Sequence, residues 1–409
     1  MNEVAATALQ RGQVLLELGR AREAEAQFRT ALGADPNDAT LHALLAQALL
    51  RQERYEQARD ASRTALAADP EHVLAMSTLA ASLGGLEQYS EGLEAVRRGL
   101  ALAPEIAGLH QQEASLLLAM KQPQDALASV ERARRLDPES SAGAALQAGV
   151  LFELRRFDEA DAAVDEALRL DPENPDAHRI RGYIALRRGG GRSAVLAHRA
   201  ALRLDPTDAN SREGLSLSLK SRNPLYGQLL RFSMWLDALP NGLRVLVLLL
   251  PFLLTRVLRP FDGQTWATVL LIVVVALVVL TWTLEPLMNC VLLLSGEGHL
   301  LDRVTRQTTY GFLAFAAAAL GCAVYAAAGG PSGLLTIAFG FGLWAMVTGS
   351  VHHRPPGGRK LLALAAAAAA VIGTLAFVGT LTEASGASAA ATIVLFGGIA
   401  ATWIVAFAR

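Results

Sequence analysis

Six prolines recur at intervals of 34 residues: Pro36, Pro70, Pro104, Pro138, Pro172 and Pro206. Five of them follow an aspartate; the third follows Ala103. Proline lacks an N–H and pushes the residue before it out of the α region, so each one ends a helix at the same point of a repeating unit. Small residues keep the same period. One column runs Gly12, Ala46, Ala80, Ala114, Ala148 and Gly182. A second runs Ala24, Ala58, Gly92, Ala126, Ala160 and Ala194, and a third Ala31, Ala65, Gly99, Ala133, Ala167 and Ala201. Small side chains let two helix axes approach closely. Leucine fills the large core position at Leu15, Leu49, Leu83, Leu117 and Leu151, with Ala185 departing. Units of this kind bury their apolar faces only by stacking on their neighbours. Polar residues after the prolines, among them Asn37, Asp38, Ser140 and Asp208, are placed to cap the next helix.

The pattern resembles the tetratricopeptide repeat family, and it sets six units at 5–38, 39–72, 73–106, 107–140, 141–174 and 175–208. The resemblance covers about half of the chain. It implies an all-α solenoid of six helix-turn-helix repeats, with 211–221 as the polar capping helix, in a repeat domain of residues 1–221. The aromatic columns are thin, retained as Phe28, Tyr55, Tyr89 and Phe157. In the sixth unit Gly189-Gly190-Gly191 aligns with the inter-helix turns at 53–55 and 155–157. No strand precedes that triplet and no GK[ST] follows, so it reads as a turn rather than a phosphate loop.

Such repeats bind other proteins and rarely do chemistry. The resemblance carries the ligand-facing positions of the first helices onto Gln13, Glu17, Gln47, Arg51, Ser77, Gln111, Ser115, Glu153, Arg179, Tyr183 and Arg187. Between them the face is small: Ala81, Gly84, Gly85, Gly108, Ala119, Ala142, Ala145 and Gly149. Two readings stand, room for an inserted helix or loop, or a helix that ends early at Gly84-Gly85. The family's clamp for a C-terminal carboxylate is not matched, since Leu9, Gln13 and Leu44 replace its first members. Arg179, Tyr183 and Arg187 are spaced by four and share one helix face, which suits an acidic peptide or helix. A pair between Arg187 and Glu153 is the competing reading.

Composition changes after residue 242. Five apolar stretches follow, 266–284, 309–328, 333–351, 361–381 and 390–408, with a shorter sixth at 243–258 that contains Pro251. Each of the five is about 20 residues, hence roughly 30 Å as helix, the thickness of a hydrocarbon core. The N-terminal residues have no apolar core for a signal peptide, so the repeats are expected in the cytoplasm. With six spans, Lys220, Arg222, Arg231, Arg303, Arg306, Arg354, Arg359, Lys360 and Arg409 all fall inside. The expectation is therefore a bundle of about six spans at 243–409 with both termini cytoplasmic, in a bacterial inner membrane. Only three of the 37 basic residues are lysine, which with the alanine richness suits a GC-rich bacterial genome. The layout resembles that of bacterial multi-span membrane proteins with such repeats. Residues 222–242 form an amphipathic linker, read either as an interfacial helix or as a helix packed on the last repeat. The segment 285–294 reads as a separate interfacial helix.

Residues 1–208 carry a net charge of −7 and the remainder +6. An acidic repeat domain argues against nucleic acid as a ligand. Cys290 and Cys322 support neither a disulfide framework nor a metal site, and His42, His110 and His178 stand 68 residues apart, too far to share a metal. No nucleotide, metalloprotease or hydrolase motif is present, so no catalytic, metal or cofactor residue is assigned. The expectation is a membrane-anchored adaptor that takes a cytoplasmic protein or peptide in its groove, for instance during assembly of a membrane complex. Ala and Gly in the spans suit packing against a membrane partner or a second copy. The alternative is a small transporter or membrane enzyme regulated by its repeats.

Overall fold

The computed structural model describes residues 3–236, 265–331, 333–350, 356–382, 390–398 and 401. The expected span at 243–258, linker residues 237–242 and most of the last stretch after 398 lie outside the described residues. Contacts divide the chain into two units, Met1–Ile184 with Leu196–Asp208, and Ala185–Val195 with Ala209–Arg409.

Thirteen successive helices make an all-helical solenoid. They are α1 (Glu3–Glu17), α2 (Ala21–Leu32), α3 (Ala39–Leu50), α4 (Tyr55–Ala68), α5 (Val73–Gly85), α6 (Tyr89–Leu102), α7 (Ala107–Ala119), α8 (Pro123–Leu136), α9 (Ser141–Glu153), α10 (Phe157–Leu170), α11 (Pro175–Arg187), α12 (Gly191–Leu204) and α13 (Ala209–Ser221). The prolines end the second helices as expected. Before four of them the backbone has left the helical region, with φ −138° at Asp69 and Ala103, −135° at Asp137 and −142° at Asp171. The aspartate has a further role. Its carboxylate accepts the backbone N–H two residues on, from Glu71, Glu173 and Thr207 at 2.9–3.1 Å, and so fixes the turn. The next helix is then capped by Asp38, His72, Ser140 or Asn174, each accepting an N–H three residues later.

The turn inside each hairpin needs one left-handed residue. These are Gly19, Glu53, Glu87, Lys121, Arg155 and Gly189, at φ between 58° and 78° and again 34 residues apart. Four of the six positions therefore hold a side chain in a conformation that favours glycine. The glycine triplet of the sixth hairpin is this turn.

The core shows matched columns. The second helices contribute Phe28, Ser62, Val96, Val130, Val164 and His198, all fully buried. The first helices oppose them with Gly12, Ala46, Ala80, Ala114, Ala148 and Gly182. Glycine stands only where the opposing residue is a ring. A Cβ on Gly12 would lie 2.4 Å from Phe28, and one on Gly182 would lie 2.5 Å from His198.

In the second unit, α14 (Pro224–Leu236) and α15 (Thr265–Leu294) are followed by α16 (Arg303–Ala327), α17 (Gly333–Ser350) and α18 (Pro356–Leu381), with further helix at 390–398. Segment 285–294 is not a separate interfacial helix. It continues α15 through Pro286, whose missing N–H is tolerated within the helix. Phe312, Phe315, Leu334, Ile337, Phe341 and Trp344 fill the interior. Small residues let the helices close on them: a Cβ on Gly373 would lie 2.4 Å from Phe341, and one on Gly398 would lie 2.9 Å from Leu343. The Trp344 indole donates to the Val394 carbonyl at 3.1 Å. Among the described residues, one helix, α16, is long and apolar enough to cross a membrane.

Candidate partner-binding face

All eleven predicted residues lie on first helices or, for Arg51, at the cap that ends one. They fall into three columns spaced by the repeat. One runs Ser77, Gln111, Ala145 and Arg179. The next runs Gln13, Gln47, Ala81, Ser115, Gly149 and Tyr183. The third runs Glu17, Arg51, Gly85, Ala119, Glu153 and Arg187. Gln13, Glu17, Arg51, Ser115 and Glu153 are exposed, and the remaining polar members are half-buried.

Neighbouring repeats are tied along this face. Ser77 donates to the Gln112 carboxamide at 3.0 Å, and Gln111 donates to Ser140 at 3.2 Å. These bonds hold α5 to α7 and α7 to the cap of α9. Gln111 and Ser77 are thus partly committed within the solenoid.

The small-residue centre is less open than its composition implies. Helix α5 runs through Gly84 and ends at Gly85. A Cβ on Gly85 would lie 2.4 Å from the Tyr55 ring, and one on Gly84 would lie 3.3 Å from Leu116. These glycines admit neighbouring side chains of the solenoid itself. Gly108 has nothing within 4 Å of where its Cβ would stand, so open space remains only there among the three.

The proposed cationic cluster on α11 is also altered by its surroundings. Arg179 is paired with Asp176 at 2.5 Å and with Asp208 at 3.6 Å, so two carboxylates offset its charge. Tyr183 packs between Phe152 and His198, its ring 4.9 Å from the imidazole and nearly perpendicular to it. Tyr183 therefore contributes to repeat packing as well as to the face.

His198 carried no signal beyond its place in the repeat. Its side chain is fully buried and neither ring nitrogen has a partner. Burial, reinforced by the nearby Arg179 charge and opposed by Asp208, pushes its pKa down to about 4. His42, His110 and His178 have a different role. Each points its Nε2 at the carbonyl of the proline six residues earlier, at 2.8–2.9 Å. They fasten alternate repeat junctions, which explains their spacing without a metal. Glu25, by contrast, is a buried charge: 4% exposed, it accepts from Gln52 and from Arg54 at 2.8 Å and pairs with Arg29.

Two family models described as tetratricopeptide repeat match residues 9–73 and 117–183. These segments are tetratricopeptide repeats. The models match no residue of the apolar half, and the resemblance to multi-span membrane proteins finds no support in them. A search of curated proteins finds no match. Among solved structures, pilF of Pseudomonas aeruginosa is 23% identical, with 52% of this chain and 96% of that chain covered and a TM-score of 0.42. A thermophilic TPR protein of Thermus thermophilus is also 23% identical, covering 44% and 97%, with a TM-score of 0.40. A tetratricopeptide repeat protein of Parabacteroides merdae is 14% identical, covering 57% and 92%, with a TM-score of 0.44.

Proposed function

We propose that this chain is a membrane-anchored tetratricopeptide adaptor, with a repeat domain at 1–221, a linker at 222–242 and a helical membrane domain of about six spans at 243–409. Its first-helix face takes a cytoplasmic protein or peptide, and no catalytic step is assigned to it. The observation that carries the membrane part is the surface of the second unit. Leu320 and Val324 on α16, Phe339 on α17, Leu364 and Leu375 on α18, and Phe396 beyond them are each 60–70% exposed. Large apolar side chains exposed on each of these helices suit lipid better than water. Lipid satisfies them, while Ala366, Ala369, Ala376 and Ala391 are buried and let the helices pack.

The partner reading rests on the exposed polar members of the columns, above all Arg51, Ser115 and Glu153 in the second, fourth and fifth repeats. Paired Arg179 moves the weight of the site from the sixth repeat toward this middle stretch. A photo-crosslinking residue placed at Ser115 and, separately, at Arg132 on α8 tests it in cell membranes. Capture at Ser115 and not at Arg132 is expected. Equal capture at both positions refutes a groove partner. Retention of the chain in membranes after alkaline extraction is expected as well, and release into the soluble fraction refutes the spanning domain.

A further inference from the structure

Helix α14 has two kinds of apolar surface. Tyr226, 5% exposed, packs with Leu230 against Leu284 and Met288 of α15 and Leu217 of α13. The same place is pinned by Lys220 of α13. Its side chain is 8% exposed, with Nζ 3.8 Å from the Glu285 carboxylate and 6.0 Å from the centre of the Tyr226 ring. Helix α14 is therefore fixed beside residues 284–288 of α15.

That position has a depth. Helix α15 has 30 residues, about 45 Å at 1.5 Å per residue, against a hydrocarbon core of about 30 Å. Its first twenty residues carry no charge, and Glu285 is the first that does. A charged side chain is costly at the bilayer centre, so Glu285 marks where α15 leaves the hydrocarbon. The rest of α15 and the helix pinned beside it then lie at the membrane surface.

Both helices are dressed for that place. Leu225, 60% exposed, and Phe232, 45% exposed, are seven residues apart and share one face of α14. Val291 and Leu294 expose 52% and 88% on α15. Exposed arginines accompany them, Arg222 and Arg231 at α14 and Arg303 and Arg306 in the first turn of α16. Apolar side chains beside arginine suit the boundary between acyl chains and anionic headgroups.

We propose that α14 and the last turns of α15 form a shelf lying in the interfacial layer of an anionic bilayer, with Leu225 and Phe232 in the acyl boundary and the arginines at the lipid phosphates. This rests on the spanning reading of the second unit. It joins the two sequence readings of the linker: α14 is packed on its neighbours and in contact with lipid.

Site-directed spin labelling of the full chain tests it, in vesicles of phosphatidylcholine and phosphatidylglycerol. Leu225→Cys and Phe232→Cys are labelled singly; native Cys290 and Cys322 are buried, so the label goes to the introduced thiol. Leu320→Cys on α16 reports spanning, and Glu94→Cys on exposed α6 reports water. Accessibility to oxygen and to a water-soluble nickel chelate gives the depth of each. Labels at 225 and 232 should be shielded from nickel and lie shallower than 320. In vesicles of phosphatidylcholine alone, nickel access at 225 should rise about two-fold as the arginines lose their anionic partners. A label at 320 deep in the bilayer with 225 and 232 as wet as 94 overturns the shelf and leaves the spanning reading intact. A label at 320 as wet as 94 overturns both. Unchanged nickel access at 225 without phosphatidylglycerol overturns the headgroup contact.

Discussion

Replacing Gly182 by alanine should damage the sixth repeat, and replacing His198 by valine should repair it. The added Cβ would lie 2.5–2.6 Å from three atoms of the buried imidazole, about 1 Å inside ordinary carbon contact. Overpacking of this kind costs about 1–3 kcal/mol. Alanine recovers about 0.5–1 kcal/mol over glycine within a helix, which leaves a net loss of about 1–2 kcal/mol. The double variant re-creates the Ala148–Val164 pair of the preceding repeat, where both residues are fully buried. It also removes two buried nitrogens without partners, whose desolvation costs about 1–3 kcal/mol. It should therefore match or exceed the parent. Amide hydrogen exchange of peptides within 175–204, measured on the full chain in detergent, reads this directly. Gly182→Ala should exchange about 5–30 times faster than the parent, and the double variant no faster. Additive effects of the two substitutions would refute the ring-and-socket account. The pH dependence supplies an independent signature. The folded state holds His198 at about 4 against 6.5 for the free side chain. The unfolded chain therefore binds the extra proton first. Stability is full above pH 6.5 and falls by about 3 kcal/mol as pH drops through 4. His198→Val should abolish that decline.

Further outcomes concern a buried carboxylate, the left-handed turns and the topology. The Glu25 carboxylate is pushed up by burial, but hydrogen bonds from Gln52 and Arg54 and the charges of Arg29 and Arg54 hold it below its ordinary value. Its stabilisation is thus present above about pH 4.5 and lost as pH falls further; Glu25→Ala should cost about 1–2 kcal/mol at neutral pH in exchange of the first two repeats, and an equal cost at pH 3 would contradict the assignment. Lys121→Gly should relieve the left-handed strain in the fourth turn, a net gain of about 0.5 kcal/mol. Gly19→Ala, with nothing within 4 Å to strike, should lose about 1 kcal/mol from backbone strain alone, and thermal unfolding that moves the same way for both would refute the turn argument. An impermeant thiol reagent applied to whole cells should label Ser385→Cys and miss His353→Cys if the repeats are cytoplasmic; the reverse pattern inverts the topology.

The 34-residue period carried the repeat architecture by itself. Proline at one point of each unit ends a helix wherever it stands, and small residues at fixed offsets permit close hairpins, so these local rules transfer directly from residue types to helices. The columns of first-helix residues were legible for the same reason, since residues a repeat apart occupy equivalent places on stacked helices. Tertiary structure decided what those places contain. Gly84 and Gly85 look like open room in sequence, yet Tyr55 and Leu116, distant along the chain, come up against them. Arg179 looks like a free cation until folding brings Asp208 beside it. Gly182 and His198 sit sixteen residues apart and become one contact only when α11 lies on α12. The same holds for Lys220 and Glu285, which no periodicity relates. Charge balance, ring packing and burial depend on which atoms arrive from elsewhere in the chain, and a periodic pattern states the place of a residue without stating its neighbour.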